Sequence, residues 1–386
     1  MKIKKFFIRV SLTILALVLA LFVTGNKHIF KAVANTYLIG NTGPDIDELD
    51  IFASRKIQAS NPVPWSDKTS DLDFQFDEKA KAYMDSLKTV AYMVIQNDAI
   101  VFEEYQAGYT ADKVSNSFSM GKSIIGVLVG IALNEGLIDD INDPVSKYLP
   151  EYTEGKNAEL RIVHLLTMSS GINFDESYNN PFGFTAKAYY GTDLPGLVAN
   201  YEVTEEPGKH FKYRSGNTQI LAFLLEKVTK TSVSEYAQQK LWSQIGTEST
   251  AYWVLDEEDG HEKAFTGVYA TARDFAKVGR LYMNAGRFNN RQIVSPEYVF
   301  ESIKPAGLIS ENGEVNTEYG YSWWTMSYKN QKVFYMRGIF GQYVICIPSK
   351  NTIVVRLGRI RDQKSDNKHP DDVYFYIDQA LKIIKS

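Results

Sequence analysis

Residues 115–136, SNSFSMGKSIIGVLVGIALNEG, place the tightest constraint on the fold. Apolar side chains in residues 124–133 cover every face of a helix, so this helix is stable only if other elements surround it. Ser119 and Lys122 lie three residues apart at its start. The sequence therefore predicts a fold with a central buried helix whose first turn carries a hydroxyl and an amine.

The size and charge of the chain exclude several classes of protein. At 386 residues the chain is long enough for a large core and for two lobes. Lys and Arg total 42 against 46 Asp and Glu, and the two signs are interspersed, so we expect no nucleic-acid partner. The single cysteine, Cys346, excludes an intramolecular disulfide and a cysteine-based metal site. We expect neither a metal nor a cofactor, and the oligomeric state stays open.

The N-terminal 25 residues are typical of an export signal. Four cations precede an uncharged run over residues 10–26. They are Lys2, Lys4, Lys5 and Arg9. Positive charge keeps this end in the cytoplasm, so the rest of the chain is expected in the periplasm or on the extracytoplasmic face of the membrane. No small-x-small cleavage site follows closely, which favours an uncleaved membrane anchor over a cleaved signal peptide; both alternatives stay open.

The order of helix and strand patterns predicts the fold class. Residues 26–75 read as an extended lead, and 76–88 as a helix. A hairpin follows, with Asn97 and Asp98 as its two-residue turn. Helix patterns dominate 137–260, and three strands and a helix starting at Pro370 close the chain.

We therefore expect an α/β (α+β) fold with an antiparallel sheet built from both chain ends. Helices from the N- and C-terminal parts flank this sheet, and residues 76–136 and 261–386 form the α/β lobe. Residues 137–260 form an inserted helical lobe.

The Ser119–Lys122 spacing indicates nucleophilic catalysis without a histidine. Residues i and i+3 share one face of a helix, so the amine reaches the hydroxyl directly. Burial and the positive end of the helix both disfavour the ammonium form, while the same dipole favours negative charge on Ser119. No serine stands in a Gly-x-Ser-x-Gly pattern, and none of the five histidines has a suggestive context. Ser119 is the predicted nucleophile and Lys122 the predicted general base.

Pattern alone does not prove this role. A second Ser-x-x-Lys, SDNK at 365–368, stands in a polar loop and shows that the motif arises by chance. Context separates the two, because only Ser119 opens a buried helix, where an unused Lys122 would carry an uncompensated desolvation cost. The alternative is a buried helix cap with a snorkelling lysine.

Longer segments resemble a known family, the serine hydrolases of β-lactamase and penicillin-binding-protein fold. The resemblance runs from about residue 88 to the C-terminus. Besides SMGK it includes LLTMSSGI at 165–172, PGKHFKYRSGNTQILAFLLE from 207, GVYATARDFAKVGRLYMNAG from 267 and YGYSWWT from 319. The segments FSMGKS, YRSGNTQIL and RGIFGQ look most like 6-aminohexanoate-dimer hydrolase-like enzymes, beside class C β-lactamases and their esterase relatives.

The resemblance implies a second motif that shares the proton with Lys122. Tyr213-Arg214-Ser215 is similar to a Tyr-x-Asn pattern, and Ser215-Gly216-Asn217 is similar to a Ser-x-Asn pattern. We favour Tyr213 as the proton relay, and keep Ser215 as the alternative. Ser215 and Asn217 are also candidate substrate-binding residues.

The third family motif is altered. The family has Lys-Thr-Gly or His-Thr-Gly where this chain has Met336-Arg337-Gly338. The missing Lys or His normally binds a substrate carboxylate, which argues against β-lactam and peptidoglycan substrates. Arg337 and Gly338 are candidate binding residues, although alternate residues of a strand face opposite ways. The backbone amides of Ser119 and Ile339 are expected to form the oxyanion hole.

Two aromatic residues complete the candidates. Tyr178 could line a lid over the cleft, with a structural loop as the favoured alternative. Trp323 and Trp324 face opposite sides of a strand, and Trp324 is the candidate for the pocket. The expected function is that of a serine hydrolase acting on a small-molecule amide or ester through a Ser119 acyl-enzyme. Two alternatives stay open: a D,D-peptidase or β-lactamase-type enzyme of the cell wall, and a non-catalytic penicillin-binding-like scaffold.

Overall fold

The computed structural model describes residues 2–364 and 368–385. The α-helices of this part of the chain are α1 Lys2–Val23, α2 His28–Asn35, α3 Glu78–Ser86, α4 Met120–Asn134, α5 Ile162–Leu166, α6 Phe184–Tyr190, α7 Leu194–Val198, α8 Ser215–Thr229, α9 Val233–Lys240, α10 Ala272–Met283, α11 Pro296–Ser302 and α12 Asp371–Ile383. The strands are β1 Ser54–Ile57, β2 Ser66–Asp67, β3 Thr89–Gln96, β4 Ala99–Tyr105, β5 Ser115–Asn116, β6 His210–Phe211, β7 Ala251–Val254, β8 Val268–Ala270, β9 Arg287–Phe288, β10 Arg291–Gln292, β11 Ile309–Ser310, β12 Trp324–Tyr328, β13 Gln331–Gly338, β14 Gln342–Ile347 and β15 Thr352–Gly358.

The main sheet joins the two ends of the chain. Its strand order within the described residues is β12-β13-β14-β15-β3-β4-β2. Neighbouring strands are antiparallel except β2, which pairs parallel with β4 at one edge. Asn97 and Asp98 have φ of 51° and 62°, as a two-residue turn between β3 and β4 requires. The predicted fold class and the predicted hairpin are both confirmed.

Helices cover both faces of this sheet. Val344 and Val355 point to the side of α4 and α10, whereas Ile345 and Val354 point to α3 and α12. A Cβ at Gly279 of α10 would lie 2.8 Å from Val344 Cγ1, so glycine lets this helix approach the sheet closely. The result is a three-layer arrangement with the sheet in the middle and α4 in the layer on one face, and every residue from 120 to 132 is buried. The sequence predicted that other elements surround this apolar helix, and its burial confirms that prediction.

Residues 137–260 contain α5 to α9, and both α8 and α9 pack on α4. A second sheet, ordered β1-β7-β8-β5, draws strands from several parts of the chain. The division into two lobes stays a prediction. The sheet matters for the site because β5 leads directly into Ser119.

The segment 26–75 differs from the expected extended lead. It contains α2, and its β1 and β2 pair with strands of the two sheets. Ile46 and Ile57 are fully buried in the core. Short apolar clusters in this segment are thus part of the folded body, which their weak periodicity did not reveal.

The helix α1 is long and apolar enough to cross a membrane, and none of its residues is buried. A signal sequence meets the same criteria. Its length and composition therefore suggest an anchor or a signal, as the sequence analysis expected.

Candidate active site

The backbone before Ser119 is tightly held. Ser117 donates its amide N–H to the carbonyl of Val268 at 2.7 Å, and the amide N–H of Phe118 donates to Asn116 Oδ1 at 2.9 Å. Phe118 has φ of 43°, a value that side chains other than glycine rarely adopt. Such strain persists only where neighbouring contacts fix it, and it is common at functional sites. The strained turn delivers Ser119 to the N-terminal end of α4.

Lys122 contacts Ser119 directly. Its Nζ lies 2.9 Å from Ser119 Oγ and donates to the carbonyl of Phe265 at 3.0 Å. Lys122 is 1% exposed, and no carboxylate of residues 2–364 or 368–385 lies within ion-pair distance of it. A buried amine without a counter-ion is costly in its charged form. The pair therefore places the Lys122 amine within hydrogen-bond distance of the serine hydroxyl, in a buried position without a counter-ion.

Tyr213 lies against the same lysine. Lys122 Nζ is 5.0 Å from the centre of the Tyr213 ring. The ring of Tyr213 packs against the rings of Trp324 and Tyr319, whose centroids lie 5.7 and 5.9 Å from its own. Within the described residues, Lys122 Nζ bonds Ser119 and Phe265 and lies over the ring of Tyr213, and it makes no hydrogen bond to the Tyr213 hydroxyl. The three residues singled out as catalytic thus lie together. The second Ser-x-x-Lys motif, at 365–368, is not compared, because Ser365 to Asn367 lie outside the described residues.

Ser215 and Asn217 have other partners. Glu176 accepts the amide N–H and the hydroxyl of Ser215, both at 2.6 Å, and also accepts the Tyr178 hydroxyl at 2.9 Å. Asn217 is fully buried and accepts the Ser170 hydroxyl at 2.7 Å, so it does not line the cavity. Sequence reasoning missed Glu176, since it lies 39 residues before Ser215 and carries no local pattern.

Gly338 brings the end of β13 against the turn that precedes the serine. A Cβ at this position would lie 2.4 Å from the carbonyl oxygen of Ser117, so glycine alone fits. Ile339 follows and lines the same cavity as Ser119. Within the described residues, neither the amide of Ser119 nor that of Ile339 donates a hydrogen bond outside regular helix and strand pairing. Both residues line the cavity, as an oxyanion hole formed by their amides requires.

Arg337 does not reach the cavity. Its guanidinium carbon lies 3.2 Å from the centre of the Trp324 ring, on the sheet face opposite to Met336. Trp324 is buried between Arg337 and Tyr213 and supports the phenol without lining the cavity. Arg337, the candidate cation for a substrate carboxylate, is therefore stacked on Trp324 and does not line the cavity.

A cavity of about 310 Å³ opens beside Ser119. This volume is at the lower end of the range for small-molecule sites. Its apolar lining comes from Ile29, Ala32, Phe118, Ala186, Phe265 and Ile339. Tyrosines, threonines and other small or neutral residues complete the wall, and no lining residue among those described is charged. The sequence analysis did not predict the part contributed by α2.

The fold and the Ser119–Lys122 pair define the β-lactamase/transpeptidase-like class. Residues 76–374 match the family model described as Beta-lactamase, and the chain belongs to this family of hydrolases. The predicted resemblance is confirmed.

Individual relatives agree with this placement. The 6-aminohexanoate-dimer hydrolase of Paenarthrobacter ureafaciens is 28% identical over 298 residues, which cover 73% of this chain and 75% of the relative. A Bacillus anthracis structure, provisionally named a 6-aminohexanoate-dimer hydrolase, has a TM-score of 0.73 at 22% identity over 86% of this chain and 90% of that one. A family VIII carboxylesterase gives 0.62 at 17% identity over 79% and 96%. The two structural likenesses show the fold.

Proposed function

We propose that this protein is a serine hydrolase that cleaves an ester or amide through an acyl-enzyme on Ser119. The amine of Lys122 acts as the base and takes the hydroxyl proton as Ser119 Oγ bonds to the substrate carbonyl carbon. The amides of Ser119 and Ile339 bind the oxyanion, a contribution typically worth about 10² to 10³ in rate per donor. The proton then passes through Tyr213 to the leaving oxygen or nitrogen as its bond to carbon breaks. Water enters and hydrolyses the acyl-enzyme by the reverse proton path.

The observation that carries the proposal is the 2.9 Å contact between Ser119 Oγ and a lysine that is buried without a counter-ion. The alternative interpretation, in which Ser119 only caps the helix, is disfavoured because the Ser119 side chain makes no hydrogen bond to the helix backbone. The ring of Tyr213, whose centre lies 5.0 Å from Lys122 Nζ, supports the relay role.

The neutral cavity weighs against the cell-wall alternative. A β-lactam or a peptidoglycan stem presents a carboxylate, and Arg337, the cation that the altered third motif offers for it, is stacked on Trp324. Labelling of the protein by a fluorescent penicillin that Ser119→Ala abolishes would favour that alternative instead.

Turnover of p-nitrophenyl acetate by the purified chain separates an enzyme from a non-catalytic scaffold. We expect wild-type turnover to be lost in Ser119→Ala. Ser123→Ala is the matched control on the same helix, because the Ser123 hydroxyl donates to the carbonyl of Ser322 at 2.6 Å and has no bond to Lys122. Equal rates in wild type and Ser119→Ala would overturn the proposal.

We further propose that α1 remains attached and anchors the protein in the membrane, with the folded body on the outer side. The four cations before its apolar run support this orientation. Detection of residues 2–23 in the mature protein by mass spectrometry of the membrane fraction tests it, and a mature chain that starts beyond residue 23 would contradict it.

A further inference from the structure

The segment that follows α1 forms one wall of the catalytic cavity. Ile29 and Ala32 of α2 line it, followed by Thr36, Tyr37 and residues 42–44. The helix α2 is fixed to the body through its packing on α6. His28, which is buried, lies with its Nε2 2.8 Å from the carbonyl of Pro181. The wall is therefore a built part of the site.

A short, ordered joint connects this wall to α1. Only residues 24–27 separate α1 from α2, a span of at most about 14 Å when extended. The amide of Asn26 donates to the carbonyl of Leu21 at 2.8 Å, and the rings of Phe22 and Phe30 lie 5.4 Å apart. With α1 retained in the membrane, as proposed above, this cavity wall would lie next to the lipid surface.

The rim of the cavity is apolar and exposed. Tyr37, Leu38 and Ile39 are consecutive and are 67%, 76% and 64% exposed. Tyr178, which lines the cavity, and Phe182, which follows the lining residue Pro181, are also exposed. Exposed groups of large apolar residues mark binding or membrane surfaces, and tyrosine favours the interface between lipid and water. The rim has the composition expected of a surface that contacts the bilayer.

The residues that line the cavity indicate which kind of ligand fits it. Apolar and aromatic side chains surround Ser119, and no charged side chain of the described residues lines the cavity. A charged acyl group would lose its hydration there without gaining an ion pair, whereas an aliphatic chain gains from burial.

We infer that the substrate is an amphiphile whose aliphatic acyl chain fills this cavity and enters over the rim from the lipid surface. The inference rests on the proposed function, since the acyl group would be transferred to Ser119, and its route of entry rests on the proposed retention of α1. It adds the substrate class and the route of entry.

The chain-length dependence of hydrolysis tests the cavity. The full chain in detergent is assayed with p-nitrophenyl acetate and p-nitrophenyl octanoate, and the readout is the ratio of the two kcat/KM values. We expect the octanoate to be preferred by wild type, and Ala32→Trp to lower the ratio about tenfold or more because it fills the cavity. Ala34→Trp is the matched control, because Ala34 lies exposed on the same helix and does not line the cavity.

The possible failures are distinguishable. Acetate hydrolysis at the same rate in wild type and Ser119→Ala would reject the proposed function itself. Ser119-dependent acetate hydrolysis with no preference for octanoate, or with equal ratios in Ala32→Trp and Ala34→Trp, would overturn the acyl-chain inference alone.

The route is tested in phosphatidylcholine vesicles that contain the full chain and 4-methylumbelliferyl oleate. Replacing Leu38 and Ile39 by Glu is expected to lower the oleate rate about tenfold relative to the rate with soluble octanoate. Val315→Glu, at an exposed apolar residue outside the rim, is expected to leave that ratio unchanged. An unchanged ratio in the rim variant would overturn entry from the lipid surface.

Discussion

The carboxylate of Glu176 holds the first residue of α8, Ser215, through two hydrogen bonds of 2.6 Å to its amide and hydroxyl. Tyr213 stands two residues earlier, so the contact fixes the end of the helix from which the proposed proton relay extends. A carboxylate at a helix N-terminus also complements the helix dipole.

Glu176→Ala is expected to lower the free energy of unfolding by about 1–2 kcal/mol, the usual cost of losing a helix cap. It should also lower kcat/KM, because Tyr213 loses its fixed position. Glu176→Gln keeps one acceptor oxygen and should retain most of both quantities. Denaturant unfolding and ester kinetics check this, and equal values for wild type and Glu176→Ala would reject the positioning role.

Gly338 is predicted to be intolerant of any side chain. Gly338→Ala would place a Cβ 2.4 Å from the Ser117 carbonyl, forcing apart β13 and the turn before the nucleophile. The amide of Ile339 would then move away from that of Ser119, and we expect kcat to fall about 10²-fold, as for loss of one oxyanion donor. Unaltered ester kinetics in Gly338→Ala would show that these two amides do not act together.

A buried acid lies behind the strained turn. Glu48 accepts the hydroxyl of Tyr189 at 3.1 Å, and Asn116 Nδ2 donates to the same hydroxyl at 3.4 Å. Burial raises the pKa of Glu48 to about 7, against the lowering effect of the bond from Tyr189. The folded protein thus holds a proton on Glu48 at pH values where the unfolded chain, with a pKa near 4.5, has lost it.

The sign of the pH effect on stability follows from this difference in proton binding between the folded and unfolded states. Because the folded state binds the extra proton, the contribution of Glu48 to stability is full below pH 4.5 and is lost as the pH rises through about 7. The loss proceeds at up to about 1.4 kcal/mol per pH unit. Glu48→Gln should show a shallower decline than wild type between pH 5 and 7 in denaturant unfolding. Parallel curves for the two proteins would exclude this titration. Burial also raises the pKa values of Asp274 and Asp372 to about 6. Both carboxyls are present in wild type and in Glu48→Gln, so their titration contributes equally to the two curves.

Removal of the proposed base tests the role of the amine apart from the nucleophile. Lys122→Met keeps a similar volume in the buried position and should lower kcat/KM for p-nitrophenyl acetate by about 10² to 10⁴, the usual contribution of general acid–base catalysis. Far-ultraviolet circular dichroism shows whether the fold is kept. A folded Lys122→Met protein with wild-type kinetics would mean that another group takes the serine proton.

Local patterns in the sequence predict the parts of this structure that local interactions determine. The hairpin turn at Asn97 and Asp98 and the apolar run of α4 are examples, and with α4 comes the Ser119–Lys122 contact, since three residues of helix fix it. Glu176 and α2 could not be found in this way. Their partners are 39 or more residues distant, and α2 has only eight residues, too few for a clear periodic signal. The orientation of Arg337 likewise depends on the packing of Trp324.

The most direct test of the account is the site of covalent modification by a fluorophosphonate, read by peptide mass spectrometry. We predict one adduct on the peptide that contains Ser119, present in wild type and Ser123→Ala and lost in Ser119→Ala. An adduct of equal yield in Ser119→Ala, or one mapped to a different serine in the wild-type protein, would contradict the assignment of Ser119 as the nucleophile.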